Sequence, residues 1–426
     1  MKALFNKADD LTRRELVKGM AGAFLGLHII PLSTQAQTGK PAAGGGKAKS
    51  VIFIKVTGGL SHVDSFDIKE KNKDAMKASG AVKSSADGIL VSKHFPKIAR
   101  QMDKIALINS MFNTQGAHRE AQYLLTTGYE RRGTVVHPHF GSWVSKLGPN
   151  KSIDIPSFVK VGGKDGLGGG FFGSMYSPLP VADPQIGLKN VKKPSGVNEE
   201  TFNKRLALMD EINRELERKV KNTMTVSYQH VYKDAVKLMN SKDLDVFNIS
   251  KESSKIRAAY GENNFGQSCL LARRLVEKGV RYIELTHEGW DYHFDIYDDF
   301  AENAVSLDQG VAALMEDLSS RGLLDSTLVV FATEFGRSAE LNGRAGRNHH
   351  PTAYTNWLAG AGIKGGQKYG MTDDQGAKIV DKKVSVADFN ATIAYAMGLP
   401  LEHVETSPEG RPFKIADKGK ALTMLF

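Results

Sequence analysis

What this chain lacks excludes several kinds of protein. It has a single cysteine, Cys269, in 426 residues, so no intramolecular disulfide can form. Cys269 lies in a helical pattern over residues 266–274, which predicts a small buried core residue and not a nucleophile. The glycine-rich stretch 161–173 does not end in the Gly-Lys-Ser/Thr of a phosphate-binding loop. The chain is therefore neither a disulfide-stabilised scaffold nor a P-loop protein.

Long apolar runs and basic–aromatic patterns are also missing. The apolar stretch Gly19–Pro31 is too short and too rich in glycine for a stable membrane span. The lysines are dispersed and no basic run interleaves with aromatic residues, so we expect no nucleic-acid partner. The formal net charge of +10 favours anionic ligands such as phosphate, sulfate or acidic glycans. The 41% hydrophobic content is ordinary for a globular protein with a sizeable core.

The N-terminus has the order of an export signal. The paired arginines Arg13 and Arg14 come first, the mildly apolar stretch Gly19–Pro31 follows, and Ser33–Ala36 offers small residues for cleavage. We expect a twin-arginine signal peptide over residues 1–37, with the twin-arginine export machinery as a partner and a periplasmic or exported location. The alternative is a basic amphipathic helix at the start of a cytosolic protein.

Beyond the signal, the pattern predicts one folded domain. Residues 38–50 are rich in Gly, Ala and Lys and predict a flexible linker. From residue 51 to residue 426, apolar strand-like runs alternate with helical patterns, which is typical of a layered α/β fold with a mainly parallel sheet. The charged helical segment at about 196–260 is interpreted as a helical insertion. The expected strands are Val51–Val56, Ile105–Asn109, Ser157–Val161, Arg281–Thr286 and Thr327–Ala332, and the helices before the last two are Asn264–Glu277 and Ala301–Arg321.

Three segments place histidine beside acid directly after a strand-like run. Imidazole and carboxylate are the ligands from which zinc, manganese, iron or calcium sites are built. Strand ends in an α/β sheet also carry the ligand-binding loops. The pattern predicts one site for a divalent metal, and the candidate ligands are His62, Asp64, Asp291, His293, Glu334, His349 and His350.

The first two segments leave alternatives open. His62 and Asp64 would share one face of an extended segment, but they could equally cap a turn and hydrogen-bond the backbone. Asp291 and His293 are two residues apart and can converge on one ion, with Trp290 packed beneath them. An incidental polar surface loop is the other interpretation of that second segment.

The third segment adds a cation. Glu334 stands at the end of an apolar strand, and Arg337 offers a two-pronged fork for an oxyanion. His349 and His350 are adjacent and point in different directions, so we expect one of them to reach the site and the other to be structural.

A fourth segment contains His118, where a polar loop gives way to the helix-like run Glu120–Thr126. A helix N-terminus stabilises anions. His118 could therefore act as a nucleophile or general base, or it could be a metal ligand.

With these segments in hand, the chain resembles the bacterial family known as domain of unknown function 1501. The resemblance covers nearly all of residues 51–413, and its most specific motifs are GGLSHVDSFDIKEK, AHREAQYLLTTGY, GWDYH, TEFGR and GRNHHP. It implies a twin-arginine leader and a three-layer α/β/α sandwich of the alkaline-phosphatase and sulfatase-like superfamily.

The resemblance also implies roles for residues. The superfamily places its nucleophile at a helix start about ten residues before a Thr-Gly pair, and His118 stands there. Glu334-Phe335-Gly336 corresponds to its Asp-His-Gly motif and keeps only the carboxylate. The aspartate that normally follows the first strand is absent, so Asp64 or His62 would substitute. These departures favour a single metal over a two-metal centre.

Together these observations predict an exported metal-dependent hydrolase of phosphate or sulfate esters. His118 would be the nucleophile or general base, and Arg337 would stabilise the anionic transition state. The substrate would be an anionic small molecule or glycan. The alternative is a degenerate, non-catalytic family member that binds an anionic glycan or a partner protein.

Overall fold

The structure, a computed structural model, describes residues 45–149, 154–163, 166–189, 191, 196–219 and 223–426. The expected signal peptide over residues 1–37 and the first part of the expected linker lie outside these residues. Among the helices that are described, none combines the length and the apolar character needed to cross a membrane.

The described residues form both strands and helices. The strands are β1 (Ser50–Val56), β2 (Val82–Lys83), β3 (Leu90–Val91), β4 (Ile105–Phe112), β5 (Phe158–Val161), β6 (Leu179–Val181), β7 (Tyr282–His287), β8 (Thr327–Thr333), β9 (Gly336–Arg337), β10 (His349–His350), β11 (Tyr354–Ala359), β12 (Gln367–Tyr369), β13 (Met371–Thr372), β14 (Ile379–Asp381), β15 (Val384–Ser385), β16 (Glu405–Thr406) and β17 (Pro412–Phe413). The helices are α1 (Lys73–Ala78), α2 (Pro96–Ala99), α3 (His118–Thr127), α4 (Phe140–Leu147), α5 (Glu199–Lys219), α6 (Thr223–Met239), α7 (Ser254–Tyr260), α8 (Asn264–Glu277), α9 (Ile296–Ser320) and α10 (Val386–Ala396).

A mainly parallel sheet forms the middle layer. Its strand order is β12-β4-β11-β8-β1-β7-β5-β6, and β15 also pairs with β4. Strand β11 runs antiparallel to both β4 and β8, whereas the other neighbours in this sheet are parallel. All seven residues of β1 are buried, which explains its nearly continuous apolar sequence, because a central parallel strand is covered on both faces.

Helices cover both faces of this sheet. Ile52 and Ile54 of β1 belong to a core cluster shared with α8 and α9. Val51 and Phe53 point the other way, into a cluster shared with α4 and α10. Each such fully buried side chain contributes roughly 2 kcal/mol of hydrophobic stabilisation. The expected three-layer α/β/α sandwich is confirmed.

One expectation about the start of the folded domain needs adjusting. The chain is already ordered before residue 50, because the amides of Gly46, Ala48 and Lys49 donate to Tyr395, Ala396 and Ser326. The carboxyl end of the expected linker over 38–50 is thus part of the folded domain. The segment at about 196–260, expected as a helical insertion, contains α5, α6 and α7.

Cys269 is fully buried in α8, as expected from its helical pattern. Burial raises the pKa of its thiol far above the ordinary value. The thiol therefore stays protonated, which fits a core residue.

Because two buried histidines have lowered pKa values, we expect the protein to lose stability in acid. Burial lowers the pKa of His62 and of His287 to about 4, whereas an unfolded chain binds these protons near pH 6.5. Between those values the unfolded state holds more protons, so stability present at pH 7 is lost as the pH falls toward 4, by about 3 kcal/mol per histidine. Urea unfolding at pH 7, 5.5 and 4.5 measures how the free energy of unfolding depends on pH. This dependence should be weaker in His287→Asn and unchanged in His403→Asn, whose histidine lies near the surface. An equal dependence in the native protein and both variants would contradict the role given to the buried histidines.

Candidate metal centre

The candidate ligands meet where neighbouring strands end. Strands β8, β1 and β7 lie side by side and parallel, so the loops after them open on one edge of the sheet. Asp291 follows β7, Glu334 follows β8, and the helix α3 begins at His118 after β4. The chain thus delivers side chains from distant parts of the sequence to one place.

His118, Asp291 and His349 form a cluster whose ligand atoms all lie within 4.8 Å of one another. The two oxygens of Asp291 face two different imidazoles, since His118 Nε2 lies 3.2 Å from Oδ2 and His349 Nε2 lies 3.2 Å from Oδ1. His293 adjoins the cluster, with its Nε2 at 3.0 Å from Asp291 Oδ1 and 3.0 Å from His349 Nε2. Imidazole nitrogens and one carboxylate around a point suit a divalent transition metal.

Hydrogen bonds on the far side of each imidazole test whether this cluster fits a metal. His349 Nδ1 lies 2.7 Å from the carbonyl oxygen of Gly116, and His118 Nδ1 lies 2.8 Å from Glu334 Oε1. These oxygens only accept, so both Nδ1 atoms donate to them, and Nε2 is the ring atom that each histidine directs at Asp291 and could offer to an ion. Metal-binding histidines are held in this way, and the residues present therefore fit a metal ion.

Glu334 positions His118. Its side chain is 0% exposed, and its Oε1 accepts from the amide of Gly58 at 2.9 Å and from Gln122 Nε2 at 3.2 Å as well as from His118. Burial raises the pKa of this carboxyl, but the hydrogen bonds from His118 and Gly58 outweigh it and leave the pKa below its usual range. Glu334, predicted as a ligand, lies behind His118 as an ionised hydrogen-bond acceptor.

Arg337 positions Asp291. The buried guanidinium donates to Gly59 O at 2.9 Å, to Arg347 O at 3.0 Å, and through Nη2 to Gly58 O and the Asp291 carboxylate. Burial raises the pKa of Asp291, but the hydrogen bond and charge of Arg337 hold it far below its usual range. The guanidinium of Arg337, predicted to bind an oxyanion, thus donates to groups of the protein itself, and little of it is exposed.

The structure does not bring His62, Asp64 and His350 into this cluster. Asp64 pairs with buried Arg347 at 2.6 Å and 3.1 Å, His62 Nε2 donates to Gly376 O at 2.7 Å, and His350 Nε2 donates to Ala377 O at 2.8 Å. The physical reason is a tight turn, in which three successive amides donate to His62 O. The segment is not extended, so the alternation that would have aimed His62 and Asp64 together does not apply. The turn-forming alternative describes them, and His349 is the histidine that reaches the site.

Sequence reasoning missed Gln122, Gly116 and Arg347. Gln122 could have been found, because it lies four residues after His118 on the same face of α3 and donates to the same carboxylate. Gly116 acts through its backbone carbonyl, which no side-chain pattern reveals. Arg347 pairs with Asp64 across 283 positions of the chain, a contact that one sequence does not encode locally.

Replacing Glu334 by glutamine is expected to weaken metal binding about 10- to 100-fold, the usual effect of losing a partner behind a metal-bound histidine. The amide keeps the volume of the side chain but not the charge that fixes His118. Competition with a chelator of known affinity measures the change. Glu288→Gln, an exposed carboxyl nearby, is the matched control and should bind metal as the native protein does. Equal affinities in the two variants would contradict the role given to Glu334.

The fold of this chain is similar to those of several solved structures, at low sequence identity. A sulfatase, PsFucS1, from Pseudoalteromonas sp. is 12% identical with a TM-score of 0.41, covering 89% of this chain and 73% of its own. The lipoteichoic acid synthase LtaP from Listeria monocytogenes is 9% identical with a TM-score of 0.41, covering 92% and 79%. A protein in the alkaline phosphatase superfamily from Vibrio parahaemolyticus is 10% identical with a TM-score of 0.41, covering 87% and 72%.

At the level of sequence, no curated protein matches this chain. A family match, in contrast, spans almost the whole folded domain and includes every residue of the cluster. Residues 48–426 match the family described as "Protein of unknown function (DUF1501)", and the chain therefore belongs to that family, as its motifs predicted.

Proposed function

We propose that this protein is an exported hydrolase that uses one divalent metal ion to cleave phosphate or sulfate esters. The observation that carries the proposal is the convergence of His118, Asp291 and His349 with both imidazoles fixed by outer hydrogen bonds. The net charge of +10 supports an anionic substrate. Export is supported by the paired arginines and apolar stretch at the N-terminus.

The donor set narrows the choice of metal. Two imidazoles and one carboxylate, with His293 beside them, suit zinc, iron or manganese. Calcium prefers six to eight oxygen ligands and fits this cluster poorly. A bound ion of the first kind would polarise an ester oxygen or lower the pKa of a bound water.

Glu334 and Arg337 hold two of the proposed ligands in the state that binds a metal. Glu334 keeps the His118 proton on Nδ1, and Arg337 keeps Asp291 ionised and in place. His118 is thus assigned as a ligand in place of a nucleophile. His293, with a side chain 36% exposed and Nε2 directed at the cluster, is the group placed to exchange a proton with substrate or water.

Hydrolysis of p-nitrophenyl sulfate and p-nitrophenyl phosphate tests the proposal. Turnover of one of them should require zinc, manganese or iron, disappear after chelation and return when the metal is restored. His293→Gln should retain metal but lose turnover, whereas Glu288→Gln should behave as the native protein. No hydrolysis of either ester by fully metal-loaded protein would overturn the proposal.

The second candidate is a non-catalytic protein that binds an anionic glycan or partner. This candidate is favoured by the hydrogen bonds of Arg337, because its guanidinium already donates to Gly58, Gly59, Arg347 and Asp291. An enzyme that stabilises anionic charge benefits from a free cation at the reacting centre. Metal-loaded protein that binds sulfated sugars without any turnover would support this candidate over the first.

A further inference from the structure

A cleft of about 590 Å³ borders the segment that leads into His118. Asn113 and Thr114 form part of its wall, and Asn113 Nδ2 donates to Glu334 O at 2.5 Å. Thr114 precedes His118 by four residues, so at most about 14 Å of chain separates them. The cleft and the candidate metal centre therefore share one structural segment.

Aromatic rings line one side of the cleft. The rings of Tyr129 and His137 stack at 4.6 Å with an interplanar angle of 7°. Phe413 stands edge-on to both, at 5.2 Å from Tyr129 and 4.9 Å from His137. All three residues line the cleft. Aromatic rings with polar tips bury the apolar face of a ligand while leaving its hydroxyl groups accessible.

His137 is the most buried of these three residues. Its side chain is 2% exposed, and burial lowers its pKa to about 4, so the ring is neutral at neutral pH. The Tyr123 hydroxyl accepts from the backbone amide of His137 and lies 2.8 Å from its Nδ1. Within the described part of the chain Nε2 has no hydrogen-bond partner, and it lies on the edge of the ring away from Tyr123.

The rim of the cleft is basic. Arg132, Arg411 and Lys418 are exposed there, and none of them forms an ion pair with any residue that the structure describes. Two carboxylates, Glu130 and Asp417, also line the cleft, and Glu130 accepts from the Thr114 hydroxyl at 2.7 Å. The three cations exceed the two carboxylates by one charge, which favours a ligand with an anionic group.

We propose that this cleft binds the sugar ring of an anionic ester, with the ring against Tyr129 and Phe413 and an acidic group at Arg411. The proposal rests on the proposed function in one respect, namely that a second sulfate or phosphate ester, on a longer ligand, would lie at His118. Binding to the cleft itself needs neither metal nor turnover. It is an aromatic and basic subsite that selects sugars carrying sulfate or phosphate.

Titration calorimetry with N-acetylglucosamine 6-sulfate, N-acetylglucosamine 6-phosphate and uncharged N-acetylglucosamine tests this proposal on the full chain. The charged sugars should bind and the uncharged sugar should bind at least tenfold more weakly. Arg411→Ala and Phe413→Ala should each weaken binding of the charged sugars by about tenfold, the order expected for one charged hydrogen bond or one aromatic contact. Comparing sulfate with phosphate decides which acidic group the site prefers.

Arg100→Ala removes an exposed arginine that does not line this cleft and is the matched control, which should bind as the native protein does. The proposal is overturned if native protein binds none of the charged sugars, or if both cleft variants bind them as tightly as Arg100→Ala does. Cleft-dependent binding without hydrolysis of any ester would overturn the proposed function alone. Hydrolysis with binding that the cleft variants leave unchanged would overturn the subsite alone.

Discussion

Asp291→Asn is expected to abolish tight metal binding and to lower kcat/KM for the responsive ester by roughly 10³-fold or more, the scale of losing metal-based charge stabilisation. Asp291 is the residue that touches both His118 and His349, at 3.2 Å each. Asparagine keeps the volume and removes the charge that balances the ion. The metal content after dialysis and the rate of ester hydrolysis measure the two effects.

The control for this variant is Asp298→Asn, an exposed carboxyl in the first turn of α9. It should keep metal content and rate unchanged. Far-ultraviolet circular dichroism should show that both variants are folded, because Asp291 is 46% exposed and its loss opens no cavity in the core. An Asp291→Asn protein that retains stoichiometric metal would contradict the assignment of this cluster.

Arg347→Leu is expected to reduce the free energy of unfolding by about 3–5 kcal/mol, because it leaves a buried carboxylate without its counter-charge. Arg347 and Asp64 are both 0% exposed and form a two-pronged pair. Arg347 also donates to Ser338 O at 2.9 Å and Ala339 O at 2.6 Å. It therefore anchors the loop that carries His349, and metal affinity should fall together with stability.

Urea unfolding of the metal-free protein separates the loss of stability from the loss of metal. Arg344→Leu, in the same loop but with its guanidinium over the ring of exposed Phe294, is the matched control and should cost less than about 1 kcal/mol. A loss below 1 kcal/mol for Arg347→Leu would show that the buried pair does not hold the loop.

The strands and helices with strong local signals could be predicted from the sequence. The apolar run that became β1 needed only the rule that central parallel strands are buried on both faces. The helix Asn264–Glu277 was predicted with the observed bounds, since Asn263 caps its start and a glycine follows its end. Residues 46–49 were misjudged because their Gly, Ala and Lys composition favours a linker, whereas backbone hydrogen bonds to distant residues order them.

The site was predictable in part, for a physical reason. The residues after parallel strands meet at one edge, so the proximity of Asp291, His293 and Glu334 followed from the order of the elements. Which of these residues bind the metal and which hold a ligand in place could not be predicted in the same way, because this depends on which oxygen each imidazole faces across the fold. Glu334, expected as a ligand, hydrogen-bonds His118 through a contact that spans 216 positions of the chain.

The proposed function depends on one metal ion bound between His118, Asp291 and His349. The most direct measurement is anomalous diffraction from crystals of the protein purified without chelator, collected on both sides of the absorption edges of zinc, iron and manganese. We expect one strong anomalous peak in contact with the Nε2 atoms of His118 and His349 and with the Asp291 carboxylate. A protein without such a peak after metal loading, or with its ion at His62 and His350 instead, would contradict it.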